Sequence, residues 1–235
     1  MKQENQKKVL ILGGSSDIGC ELAKYFYDKG WLVTIHYSGK NSIFFKKLKN
    51  YEITFIKSDF LKVKNINIFS KIKYDSIVNL TGYINNKKFS NSNLNDLIDT
   101  FKVNTFIPIL IQRNLLSNMI KNKWGRILNC SSIGVKYGGG ESTYCYSFSK
   151  HALEFIPSNY KKLSKNNILI NNLRVGVTDT KIHKKINGKS IYKRIKLIPI
   201  GRMAEIQEIV NFIYILSSEK NTYITGETLT VAGGE

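Results

Sequence analysis

The feature that most restricts this chain is a strand, a glycine turn and a helix in immediate succession near its start. Lys7–Leu12 reads as a short apolar strand running into Gly13-Gly14, and Ser16–Lys29 then carries Ile18, Leu22, Ala23 and Phe26 at helical spacing. Further β-rich runs at Trp31–Tyr37, Tyr51–Lys57 and Ser76–Leu80 are separated by helical or irregular stretches, and later strands are expected at Gly125–Cys130, Ile168–Val175 and Thr228–Val231. Ala204–Ser217 reads as a largely buried helix, because apolar residues occupy most of its faces. Strands alternating with helices predict an α/β fold, a doubly wound parallel β-sheet with helices on both faces. No linker, repeat or low-complexity tract divides the 235 residues, so residues 1–235 are expected to form a single domain.

Composition excludes less than it suggests. A formal charge of +19 invites a nucleic-acid partner, since clustered cations neutralise phosphates. The lysines are instead spread along the chain, and no helix-turn-helix, zinc-finger or RNA-binding signature accompanies them, so nucleic acid is the weaker reading. No apolar run approaches the roughly 18 residues that span a bilayer, which predicts a cytoplasmic protein without membrane contact. Cys20, Cys130 and Cys145 fit neither a disulfide framework nor a metal-ligand spacing, so no metal site is expected.

Two motifs carry chemistry. Gly13-Gly14-Ser15-Ser16-Asp17-Ile18-Gly19 lies where the first strand gives way to the first helix. Free backbone N–H groups and the helix dipole there favour a pyrophosphate, although a structural turn explains the same glycines. Further along, Ser131-Ser132 and then Tyr146-Ser147-Phe148-Ser149-Lys150 follow a predicted strand. On a helix, Tyr146 and Lys150 share a face, so the ammonium can lie near the phenol. A phenol ordinarily titrates near pH 10, and a cation beside it in a partly dehydrated cleft is expected to lower that value toward the working pH. The plain alternative is an amphipathic helix with a buried aromatic and a solvated lysine.

The order of these motifs resembles the short-chain dehydrogenases/reductases of the single-domain type, those similar to 3-oxoacyl-carrier-protein reductases. After the glycine turn come Asp59, Asn79-Leu80-Thr81-Gly82, Asn104, Ser132, the Tyr146/Lys150 pair, Gly176 and Thr180. Pro199-Ile200-Gly201-Arg202, Glu208, Tyr223-Ile224-Thr225-Gly226 and Val231-Ala232-Gly233-Gly234 then look like the family's C-terminal signature. The resemblance implies a Rossmann-like fold and hydride transfer between a nicotinamide and a carbonyl or alcohol. Tyr146 would be the proton donor or acceptor, and Lys150 would lower its pKa and hold the nicotinamide ribose. Ser132 would orient the substrate oxygen, and Asn104 would hold a relay water. Gly13, Ser15, Ser16, Asp17, Ile18 and Gly19 would surround the phosphates and adenosine ribose, and Asp59 would meet the adenine. Asn79 and Gly82 would border the cofactor, and Val177 and Thr180 would engage the nicotinamide amide. Tyr144 and Ser131 are the neighbouring residues that the pattern passes over.

Several positions depart from that pattern. Leu12 stands where threonine is usual, Asp17 where a glycine is common, and Val175 where proline is usual. Asp17 suits a first helical turn, provided that its carboxylate points away from the pyrophosphate. The end of the second strand, His36-Tyr37-Ser38-Gly39-Lys40, lacks the acid that would bind the ribose hydroxyls in NAD-specific relatives. Ser38 and Lys40 could meet a 2′-phosphate, which favours NADP over NAD.

Residues 178–198 are expected to form a substrate lid, and they include Lys181, His183, Lys184, Lys185, Lys189, Lys193, Arg194 and Lys196. A basic lid would suit an anionic or carrier-linked substrate, such as a 3-oxoacyl thioester or a sugar derivative. The chain-wide lysine bias explains the same residues without a ligand. The resemblance also implies a homo-oligomer, a dimer or tetramer. The rival readings are a catalytically silent dinucleotide sensor or scaffold, and a basic nucleic-acid-binding protein. An epimerase of the related extended class would need a larger C-terminal domain.

Overall fold

The computed structural model describes residues 6–39, 42–181 and 191–235. Lys40 and the lid residues His183, Lys184, Lys185 and Lys189 lie outside the described residues. Seven strands, β1 (Lys8–Leu12), β2 (Leu32–Tyr37), β3 (Ile53–Lys57), β4 (Ser76–Asn79), β5 (Gly125–Ser132), β6 (Ile168–Val175) and β7 (Thr228–Val231), form one sheet in the order β3-β2-β1-β4-β5-β6-β7. Every pairing is parallel. The helices are α1 (Asp17–Asp28), α2 (Ser42–Lys47), α3 (Leu94–Phe101), α4 (Ile107–Asn122), α5 (Tyr144–Leu153), α6 (Ser158–Lys161), α7 (Ile191–Ile195) and α8 (Ile206–Ser217). Between β3 and β4 the crossover shrinks to a 3-10 turn, Asn67–Lys71.

Strand alternation divides the core into two layers. Along β1, Val9 and Ile11 join the apolar side chains of α1 and α8, whereas Leu10 and Leu12 join those of α4. All four are fully buried, as expected of a parallel strand covered on both faces. Leu12 packs into the α4-side layer, so at this position the side chain serves the core.

Two elements differ from the sequence expectation. β5 runs two residues past Cys130 because Ser131 and Ser132 pair with Arg174 and Val175 of β6. Ser132 therefore emerges at the extreme end of the sheet. The last long helix begins at Ile206, because Ala204 pairs as a bridge with Thr178 and Glu205 caps the helix in a box with Glu208. Its burial is one-sided: Tyr214 packs against Tyr25 and Phe26 of α1, while Phe212 and Ile215 are 45% and 43% exposed.

The chain winds from β1 outward to β3 and then returns to β4 on the other side of β1. That reversal opens a crevice beyond the carboxyl ends of β1 and β4, where ligands of doubly wound sheets bind.

Candidate active site

The proton-transfer candidates converge at the end of β5. Ser132, its last residue, accepts a hydrogen bond from the Gly134 N–H at 3.2 Å and so caps the 3-10 turn Ile133–Tyr137. The chain returns through α5, which places Tyr146 and Lys150 one helical turn apart. Lys150 is 2% exposed, and its Nζ donates to the carbonyls of Thr81 (2.7 Å) and Cys130 (2.6 Å). It thereby ties α5 to the loop after β4 and to β5. Its Nζ lies 5.9 Å from the centroid of the Tyr146 ring.

Burial decides the electrostatics of this pair. It pushes the Tyr146 phenol up to about 12, against an opposing side-chain hydrogen bond from Ser132. It brings Lys150 down to about 8, opposed by Cys130 and Glu154. Desolvation is the largest influence on both groups. The ammonium is committed to two carbonyls, and the phenol is held in its neutral, proton-donating form.

Asn104 sits in a π-helical turn, Lys102–Phe106, that joins α3 to α4. Wide turns of this kind recur at functional sites. Its side chain is fully buried and used on both ends. Oδ1 accepts from the Tyr83 N–H at 2.7 Å, while Nδ2 donates to the Tyr83 carbonyl at 3.0 Å and to Ser149 Oγ at 2.9 Å. Ser149 in turn donates to the Tyr146 carbonyl at 2.7 Å, so the network braces α5 beside Tyr146. A water on Asn104 would have to use its main-chain carbonyl. Of the two residues passed over, Ser131 is buried with Oγ 3.4 Å from the Lys150 carbonyl, and Tyr144 packs edge-on against Phe89.

The glycine turn fits a dinucleotide, but its glycines are needed first by the protein itself. Gly13 has φ +73°, and a Cβ there would lie 2.9 Å from the backbone of Leu80 and Thr81. A Cβ on Gly19 would lie 2.6 Å from Gly14 Cα. Ser16 caps α1 by accepting from the Gly19 N–H at 3.0 Å, while Asp17 and Ile18, in the first turn, have no intrahelical acceptor for their N–H groups. Asp17 Oδ2 accepts the Lys181 N–H at 3.0 Å and its Oδ1 pairs with Lys47 Nζ at 3.2 Å. Burial alone would raise the Asp17 carboxyl, but these two partners outweigh it and hold it below the ordinary value. The charge that threatened to repel a pyrophosphate is therefore countered.

The remaining candidates lie at or after the carboxyl ends of the strands, with different degrees of commitment. Gly82 is exposed beside Tyr146, with a Cβ position 3.8 Å from the ring, and Ser38 is exposed after β2. Asn79 is fully buried, with Oδ1 accepting from Thr81 N–H and Oγ–H (3.1 and 2.7 Å) and Nδ2 reaching Asn129 at 3.3 Å, so it shapes the β4 loop from below. Asp59 Oδ1 accepts the Leu61 N–H at 3.0 Å. Val177 is buried and accepts from the Ala204 N–H at 2.9 Å, and Thr180 Oγ donates to the Thr178 carbonyl at 3.3 Å. Ser15 is half-buried in the turn. Sequence reasoning missed His36, which contacts both the glycine turn and the segment after β3. The available signal was a polar residue at an inward position of a buried strand.

The chain matches, over residues 13–235, the family model described as enoyl-(acyl carrier protein) reductase. It belongs to this family, a branch of the short-chain dehydrogenases/reductases, and is an NAD(P)-dependent oxidoreductase. Among curated relatives, it is 35% identical over 161 residues to a 3-oxoacyl-[acyl-carrier-protein] reductase of Aquifex aeolicus, covering 68% of this chain and 64% of that one. It is 29% identical to the protein of that name from Buchnera aphidicola subsp. Schizaphis graminum, covering 97% of both chains. A crystal structure of a 3-oxoacyl (acyl-carrier-protein) reductase from Agrobacterium tumefaciens C58, with NADP bound, superposes with a TM-score of 0.86 at 22% identity, covering 97% of this chain and 94% of that one. This last likeness concerns the fold.

Proposed function

We propose that the protein is an NADPH-dependent ketoreductase acting on a 3-oxoacyl thioester, reducing the ketone to the hydroxyl. The observation that carries this reading is the Tyr146 hydroxyl hydrogen-bonded with Ser132 at the end of β5, one helical turn from the buried Lys150. A phenol pushed up to about 12 keeps its proton at neutral pH and can give it to a developing alkoxide, as reduction requires. The Ser132 and Tyr146 hydroxyls would meet on the substrate oxygen, with Ser132 orienting it and Tyr146 giving up its proton.

When bound, the nicotinamide supplies the hydride. Lys150, fixed by the Thr81 and Cys130 carbonyls, has one N–H left to hold the ribose and return a proton toward Tyr146. The first-turn N–H groups of Asp17 and Ile18, with Gly13, Ser15, Ser16 and Gly19 around them, would cradle the pyrophosphate. Val177 and Thr180 would face the nicotinamide amide, Asp59 the adenine, and Ser38 a 2′-phosphate. No acid occupies residues 36–39, and the solved relative holds NADP; both support NADP over NAD.

The carrier-linked thioester is supported by the names of the relatives and by the exposed lysines Lys181 and Lys196 at the ends of the lid. Apolar side chains exposed on and beside α4 and α5, among them Phe106, Leu110, Phe148 and Phe155, support a homo-oligomer. Free, buried Cys20, Cys130 and Cys145 agree with a cytoplasmic setting.

The test is NADPH consumption against 3-oxoacyl thioesters, simple ketones and keto-sugars. The reading requires the highest kcat/KM for the thioesters. NADPH binding without turnover of any carbonyl would favour the sensor, and salt-steep nucleic-acid binding without NADPH binding would favour the basic-protein alternative.

A further inference from the structure

His36 occupies an unusual place for a polar side chain. It is 3% exposed on β2, at an inward position between Ile35 and Tyr37, and its ring stacks on Phe60 at 4.1 Å with an interplanar angle of 6°. Phe69 closes over its edge at 5.5 Å. Within this apolar slot both ring nitrogens are satisfied. Nδ1 lies 3.2 Å from the Gly13 amide nitrogen, which can only donate, so Nδ1 must be the acceptor. Nε2 then carries the hydrogen and donates to the Ser58 carbonyl at 2.8 Å. The His36 carbonyl accepts from the Gly14 N–H at 3.0 Å, and the Ser58 N–H donates to the Tyr37 carbonyl at 2.9 Å.

Resting on the reading that the Gly13–Gly19 turn and the Asp59 segment hold a dinucleotide, we propose that His36 is a positioning residue, a neutral imidazole clamp that fixes the pyrophosphate turn against the adenine-side segment. Two loops separated by 23 and 22 residues from His36 in sequence are tied to one rigid ring. Phosphate and adenine sites bind one ligand only if their spacing is held, so loosening either tether costs cofactor affinity through ordering that the bound state must then supply. The clamp works in one protonation state alone. An imidazolium, or the Nδ1–H tautomer, would point a hydrogen at the Gly13 N–H and break that tether.

The chemistry of substitution separates the two tethers. His36→Asn keeps an acceptor at the Nδ1 position and loses the reach to Ser58. His36→Gln keeps the reach to Ser58 and loses the Gly13 acceptor. His36→Phe retains the ring stack on Phe60 and loses both. The experiment is calorimetric NADPH titration of the full chain and the three variants, alongside apo melting temperatures and kcat at saturating NADPH. His36→Phe, which gives up two buried hydrogen bonds, is expected to weaken NADPH roughly tenfold or more, with Asn and Gln each in between. kcat at saturation should change far less than KM for NADPH, because Tyr146, Lys150 and Ser132 are not touched.

Variants that bind NADPH like wild type, or affinity losses that merely follow melting temperature across all three, overturn the clamp. Wild type that fails to bind NADPH overturns instead the underlying cofactor reading. Should the variants not fold, the ¹⁵N shifts of His36 in the wild-type protein decide. A bare Nδ1 and a protonated Nε2, kept on adding NADPH, support the clamp; an Nδ1–H tautomer or an imidazolium at neutral pH overturns it.

Discussion

Lys150 and Thr81 stand 69 residues apart in sequence and are joined by a 2.7 Å hydrogen bond from a buried ammonium to a main-chain carbonyl. With the second bond to Cys130, this lysine is a cross-brace between α5 and the ends of β4 and β5, and in the proposed function it also takes part in the chemistry. Lys150→Met should therefore lose both properties. Two buried carbonyls would be left without donors, destabilising the fold by roughly 1–3 kcal/mol for each, and turnover should fall by on the order of 10²-fold or more. Denaturant unfolding and steady-state reduction, run on the same sample, check both parts.

The depressed lysine sets a pH dependence with a definite sign. Lys150 is charged below about 8 and neutral above it, whereas Tyr146 keeps its proton to about 12. The reduction rate should hold from neutral pH to about 8 and then decline. Stability from this group moves the other way. Between about 8 and the model-compound value of 10.5 the unfolded chain binds a proton that the folded chain has released, so its contribution grows as pH rises through that window. A kcat profile with no break near 8 would contradict the assignment.

How much of this was open to inspection in the sequence follows from which interactions leave a trace there. Short apolar, β-rich runs and turn residues marked all seven strands to within a few residues, because a parallel strand covered on both faces must be apolar. The spacing of Tyr146 and Lys150 marked the pair, because helical periodicity fixes which side chains share a face. What the pair leans on was not legible: the acceptors at Thr81 and Cys130 are main-chain carbonyls, which every residue possesses. The π-helical turn at Asn104 and the two-loop contact of His36 are likewise products of tertiary closure. The desolvation of Tyr146 and Lys150 was not legible for the same reason, since spacing reveals a nearby cation and conceals the extent of burial.

A tight glycine in the turn makes a packing prediction. Gly19→Ala would set a Cβ 2.6 Å from Gly14 Cα, against backbone that cannot swing aside. It should destabilise by roughly 1–3 kcal/mol and weaken NADPH by shifting the first turn of α1. Gly39→Ala, whose Cβ meets nothing within 4 Å, is the matched packing control and should leave stability unchanged. Thermal unfolding with and without NADPH distinguishes them.

Asp17 makes an opposite prediction at the same turn. Its side chain is 16% exposed and pairs at 3.2 Å with Lys47, which is 36% exposed, a pair of small worth. Asp17→Asn keeps an acceptor for the Lys181 N–H and removes a negative charge beside the phosphates. Stability should change by less than about 1 kcal/mol, and NADPH should bind somewhat more tightly, a difference that calorimetry at low salt will show most clearly.

The central claim is that Tyr146 is the proton donor of a reductase whose cofactor site stands independently of it. The direct measurement is NADPH affinity and single-turnover carbonyl reduction in wild type and Tyr146→Phe. The account predicts unchanged NADPH binding, with the reduction rate lowered by on the order of 10²-fold or more. Turnover at the wild-type rate in Tyr146→Phe would contradict it.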